Sequence, residues 1–146
     1  MYKKILFLIL TITCQMTYSQ GNKLILFVLP NLLAICQFTT ETQVPPWVFK
    51  SSFFSVSKTH DELSIVCDQS LVPPDVKKVD NWRAFKVEGP LDFSLTGIIS
   101  SLAKPLAENK IPIFVISTYD TDYLLVESKY FISAKEVLMK ICSIKE

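Results

Sequence analysis

Residues 111–126 read IPIFVISTYDTDYLLV. An apolar run, 111–116, enters a polar segment, 117–122, and a second apolar run, 123–126, leaves it. Both runs are rich in β-branched and aromatic residues, which predicts two strands joined by a tight loop. A polar loop this dense between two apolar strands has to reach water or a polar ligand, because buried polar groups without partners are costly. It is therefore the first candidate site in the chain.

Reading outward, residues 82–87 predict a strand carrying Arg83 and Lys86, and Gly89-Pro90 then breaks the chain. Leu95, Ile98, Ile99, Leu102 and Leu106 recur at helical spacing and define one apolar face. Asp92 or Ser94 is the expected cap of that helix, since either side chain accepts from free first-turn N–H groups. Pro105 is expected to kink or end it early. Beyond the hairpin, Phe131, Ala134, Val137, Leu138 and Ile141 mark a second amphipathic helix. The order strand, helix, strand, strand, helix fits a ferredoxin-like α+β unit, completed by a strand from elsewhere.

The first half predicts mostly strands. Residues 23–29 and 32–38 read as consecutive strands with Pro30-Asn31 as their turn. Pro45-Pro46-Trp47 opens a short helix. Residues 53–57 and 63–67 read as a hairpin around 58–62, and 69–81, with Pro73 and Pro74, as a linker or crossing loop. The halves echo each other. SVSKT at 55–59 and STYDT at 117–121 each follow an apolar strand containing Phe and lead through an acidic turn to another. Two related small units follow from that echo, and units this small have thin cores and are expected to pack together.

Composition narrows the function classes. The chain has 146 residues, is 49% hydrophobic and carries a net charge of +1, so no global field favours nucleic acid or anionic lipid. It has only 3 Gly and neither of the glycine-rich phosphate-loop patterns. Cys14, Cys36, Cys67 and Cys142 are widely spaced, with no CxxC pair to suggest zinc. Asp120 with Asp122 lacks a third ligand for a metal, so neither metal nor cofactor is expected. His60 with Asp61 has no nucleophile elbow beside it, so an enzyme is not expected. Residues 1–20 form an apolar leader. Lys3 and Lys4, the apolar run 5–12, and Thr17 and Ser19 before Gln20 have the layout of a secretory signal peptide. An N-terminal extension is the alternative reading.

Three segments then carry a family resemblance. PWVFKSSFFSVSKTHDELSIVC (46–67), WRAFKVEGPLDFSLTGIISSLAKPLAENKIPIF (82–114) and ISTYDTDYLLV (116–126) resemble the bacterial tandem ACT-domain proteins of the small amino-acid-sensing type. The last is also similar to the amino-acid-binding part of the animal cytosolic arginine sensors. The resemblance implies two ferredoxin-like ACT units, residues 22–75 and 76–146, with a small ligand between them and no catalysis. It implies a cytoplasmic protein, against the leader, whose cleavage would mean export. It leaves open a homodimer or a regulatory protein partner.

The residues support the same site chemically. A helix start after Gly89-Pro90 offers free N–H groups and a positive dipole end to a carboxylate. Asp122 offers a charge to an ammonium group or a basic side chain. Ser117 and Thr118 add neutral hydrogen bonds, and Tyr119 walls the pocket. Ser55 and Val56 occupy the corresponding edge of the first unit. The resemblance to the arginine sensors points to matching positions: Ser55, Val56, the Gly89 region, Thr118, Tyr119 and Asp122. The competing reading makes these turn formers and strand residues that pack two units together, with Gly89 supplying a positive φ, in a structural or protein-interaction domain without a ligand.

Overall fold

The computed structural model describes residues 23–146. The leader read over residues 1–20 lies outside the described residues. The strands are β1 (Leu24–Val28), β2 (Leu33–Phe38), β3 (Ser55–Lys58), β4 (Leu63–Asp68), β5 (Lys78–Val87), β6 (Phe114–Ser117), β7 (Asp122–Glu127) and β8 (Cys142–Lys145). The α-helices are α1 (Ile98–Glu108) and α2 (Phe131–Met139), and a 3-10 helix spans Pro46–Lys50. All eight strands join one mixed sheet, in which only β8 runs parallel to its neighbour, β1. The fold is α+β, with both α-helices after β5.

The long strand β5 holds the sheet together. One edge pairs with β7. The other pairs first with β2, at Lys78, Val79 and Trp82, then with β1, from Phe85 to Val87. β1 and β2 therefore lie end to end along one edge of β5 and do not form the hairpin that Pro30-Asn31 suggested. The proline interrupts the ladder without reversing the chain. The register against β5 slips between Leu33 and Ile35, where Asn81 stands at φ 68°. An extra residue is absorbed there as a bulge, at a residue type that tolerates the left-handed region.

Residues 78–146 follow the ferredoxin-like order β5-α1-β6-β7-α2-β8, with β1 inserted between β8 and β5. This is the completing strand from elsewhere. β8 itself is absent from the sequence reading. It is four residues long and is recognisable only through its partner β1.

Alternation along the strands separates the cores. Phe85, Val87, Leu124 and Val126 face α1 and α2 and pack with Leu102, Leu106, Ala134 and Leu138. Ala34, Cys36, Leu63, Ile65 and Cys67 pack beneath Val48 of the 3-10 helix. The opposite face of the sheet carries Leu33, Val66, Ala84, Ile116 and Leu125, with the Phe53 and Tyr123 rings tilted at 45° and their centroids 4.7 Å apart. Cys36, Cys67 and Cys142 are free and buried, and burial pushes the Cys142 thiol up to about 11. The thiolate attacks thiol reagents, and the Cys36 thiol, lowered by its hydrogen bond with Cys67, is shielded by its burial alone. An aromatic disulfide reagent is therefore expected to leave all three unlabelled in the native protein and to label them in denaturant. Rapid native labelling of any of the three would contradict the packing.

Two local expectations fail for identifiable reasons. α1 begins at Ile98 behind Gly97, at φ 83°, and not behind Asp92 or Ser94. The Asp92 carboxylate instead accepts from the Ser94 N–H at 2.8 Å, a local turn that ends before the helix. Pro105 does not stop α1, which runs on to Glu108. Burial of Leu102 and Leu106 against the sheet offsets the hydrogen bond lost at the proline.

Candidate functional site

Antiparallel pairing brings two loops together. Lys86 of β5 stands opposite Tyr123 of β7, so the chain leaving β5 and the chain entering β7 are neighbours. The β6–β7 loop, residues 118–121, closes on itself. The Thr118 N–H donates to the Thr121 carbonyl at 2.8 Å, and the Thr118 hydroxyl donates to the same oxygen at 2.9 Å. It then docks on the β5–α1 connection: buried Thr121 donates its hydroxyl to the Val87 carbonyl at 2.5 Å, and the Leu91 N–H donates to the Asp120 carbonyl at 2.7 Å. Thr121 was not among the expected site residues. Its role is to lock the two loops, which only the pairing reveals.

Gly89 belongs to the same junction. A Cβ there would stand 2.7 Å from the Asp120 carbonyl oxygen and 3.2 Å from the Thr121 Cβ. Glycine is required by close backbone approach, not by a positive φ. Gly89→Ala should therefore force the loops apart and cost about 1–3 kcal/mol, as overpacking does. Urea denaturation measures this, and an unchanged midpoint would show that the junction yields freely.

Between these loops and the start of α1 lies a cavity of about 520 Å³. One wall is residues 117–122. The other is Leu91, Asp92, Phe93 and Leu95 followed by the first turn of α1, Gly97 to Ser100. No side chain caps α1 and its first turn holds no acid, so its first N–H groups and positive dipole end face the cavity uncovered. Asp122, half-buried, accepts from the Ser117 hydroxyl through Oδ1 at 2.5 Å. That bond orients the carboxylate and leaves Oδ2 for a ligand. Tyr119 and Phe93 are 79% and 76% exposed, and their rings meet edge to face at 5.1 Å on the rim.

Of the expected site residues, the structure brings Ser117, Thr118, Tyr119 and Asp122 to this cavity, with Gly89 packed behind the loop. Ser55 lies elsewhere. It lines a second recess of about 180 Å³ between β3 and β6, together with Ser57, Ser64 and Ser117. Ser117 borders both spaces and joins them. Val56 alternates to the other face of β3, is 37% exposed, and lines neither. Phe93, Leu95, Ile98 and Ile99 were missed as lining residues. Gly97 was the available signal, since glycine is an accepted residue at a helix start.

Fold and cavity together define a ferredoxin-like α+β module with a ligand-sized space at a helix start. An ACT-domain family model matches residues 77–140, and a second model, of an N-terminal domain, matches residues 32–75. A protein of known crystal structure from Agobacterium tumefaciens is 36% identical, with a TM-score of 0.80, over 86% of this chain and 94% of that one. Residues 77–140 therefore belong to the ACT-domain family. The human cytosolic arginine sensor for mTORC1 subunit 1 is 34% identical over 97 residues, 61% of this chain and 30% of that protein. The chain thus spans less than a third of the length of the curated relative. The regulatory subunit of aspartate kinase from Thermus thermophilus shares the fold at 8% identity, with a TM-score of 0.55 over 78% of this chain and 96% of that one. Among the described residues no helix is long and apolar enough to cross a membrane.

Proposed function

We propose that this protein is a non-catalytic regulatory module that binds a free α-amino acid. The observation that carries the reading is the pairing, across one cavity, of an uncapped helix start with an oriented carboxylate. The first turn of α1 receives the ligand carboxylate, and Asp122 receives its ammonium group. A space of about 520 Å³ is in the usual range for small-molecule sites. The arginine sensor named among the relatives and the regulatory subunit of aspartate kinase support a regulatory role, and the two-unit organisation, 22–75 and 76–146, belongs to the same reading. Ser55 is the first unit's contribution, reached through Ser117 and the second recess, and Val56, on the other face of β3, takes no part.

Thermal shift with the twenty amino acids tests this. A ligand that binds only the folded state at a hundred times its Kd adds about 2.7 kcal/mol and raises the melting point by several degrees. The expected result is a shift with a small subset. No shift at millimolar concentration with any of them would defeat the reading. The cytoplasm is the proposed compartment, as the relative's name suggests for that protein. Mass spectrometry of the N-terminus in the native host checks it, and a mature chain beginning at Gln20 would place the protein outside.

A further inference from the structure

The cavity's charged and apolar groups are unevenly placed, and that selects the ligand's side chain. Asp122 is half-buried, and in the amino-acid reading its charge is taken by the α-ammonium group. The other two acids on the lining, Asp92 and Asp120, are exposed. Asp92 already accepts from the Ser94 N–H. Exposed carboxylates stay hydrated and are screened by salt, so neither holds a second cation strongly. Ser100, Ser117, Thr118 and Thr121 add only neutral polar groups, and the rest of the wall is apolar: Leu91, Ile98 and Ile99 line the cavity and pack on the core, while Leu95, Phe93 and Tyr119 form the rim.

Resting on the amino-acid reading, we infer that the ligand's own side chain is apolar, aliphatic or aromatic, and not cationic. An apolar side chain entering between Ile99 and the Phe93–Tyr119 pair removes hydrocarbon from water on both surfaces. A guanidinium or ammonium group placed there gives up hydration without a shielded partner. The aromatic faces attract cations, but at a mouth this exposed the attraction is weak. The selectivity therefore differs from the arginine named for the human relative.

Calorimetric titration of the full-length protein with alanine, leucine, phenylalanine, lysine and arginine tests it. Leucine or phenylalanine is expected to bind at least about tenfold more tightly than lysine and arginine. Phe93→Ser and Leu95→Ser, both at exposed positions, are expected to lower the leucine-to-alanine affinity ratio about tenfold together, with melting points confirming that the variants fold. Lysine or arginine binding as tightly as leucine overturns the inference while leaving the amino-acid reading intact, and so does an unchanged leucine-to-alanine ratio. Silence with all five overturns this inference, whereas only silence with all twenty amino acids defeats the amino-acid reading itself.

Discussion

Asp122→Asn is expected to lower amino-acid affinity by about thirty-fold to several thousand-fold, the range that loss of one partner of a shielded charge pair covers. The carboxylate begins β7, half-buried, with Oδ1 held by the Ser117 hydroxyl. An asparagine fills the same volume and still accepts from Ser117 through its carbonyl oxygen, but brings no charge to the ligand ammonium group. Stability should hardly change, within about 0.5 kcal/mol. Asp120→Asn is the internal control. Its side chain is exposed and only its backbone carbonyl is engaged, by the Leu91 N–H. That substitution should have a much smaller effect. Calorimetric titration and a thermal melt of both variants decide the matter. Equal weakening by the two, or unfolding of Asp122→Asn, would remove Asp122 from its role as the ammonium partner.

The second large effect is on folding. Asp68→Ala should cost about 3 kcal/mol, because it orphans donors around a buried carboxylate. Asp68 is 6% exposed. Its carboxylate accepts from the Ser52 N–H at 2.9 Å, from the Asn31 side-chain amide at 3.0 Å and from the Ser52 hydroxyl at 3.1 Å. These bonds tie the β1–β2 interruption to the approach of β3. Burial pushes the Asp68 carboxyl up, but the hydrogen bonds from Ser52 and Asn31 outweigh it and hold the group below its usual value. A carboxyl lowered on folding contributes stability that is present above its unfolded pKa, about 3.9, and is lost as pH falls through the folded value. Wild type and Asp68→Ala should therefore differ most near neutral pH and begin to converge as pH falls below about 4. Urea denaturation at pH 7 and pH 3 measures both. A difference that persists undiminished at pH 3 would mean that Asp68 acts without its charge.

Local pattern determined much of this protein. The β6–β7 hairpin, the apolar stripe of α1 and the buried face of α2 are written in short-range periodicity, because one face of each element must leave water. Four residues that line the cavity, Ser117, Thr118, Tyr119 and Asp122, were legible for the same reason. They form one contiguous polar stretch between two apolar strands, and contiguity survives folding.

What the tertiary structure decided is pairing across long separations. That β1 and β2 share one edge of β5, that β8 pairs with β1 and that Thr121 bonds to the Val87 carbonyl are set by partners far away in the chain. A strand's hydrogen-bond partner leaves no mark on its own sequence when both faces of the sheet are apolar. The same holds for the cavity. Apart from Gly97, residues 91–99 carry no local signature of a wall, and they become one only because antiparallel pairing of β5 with β7 sets the start of α1 against the loop after β6.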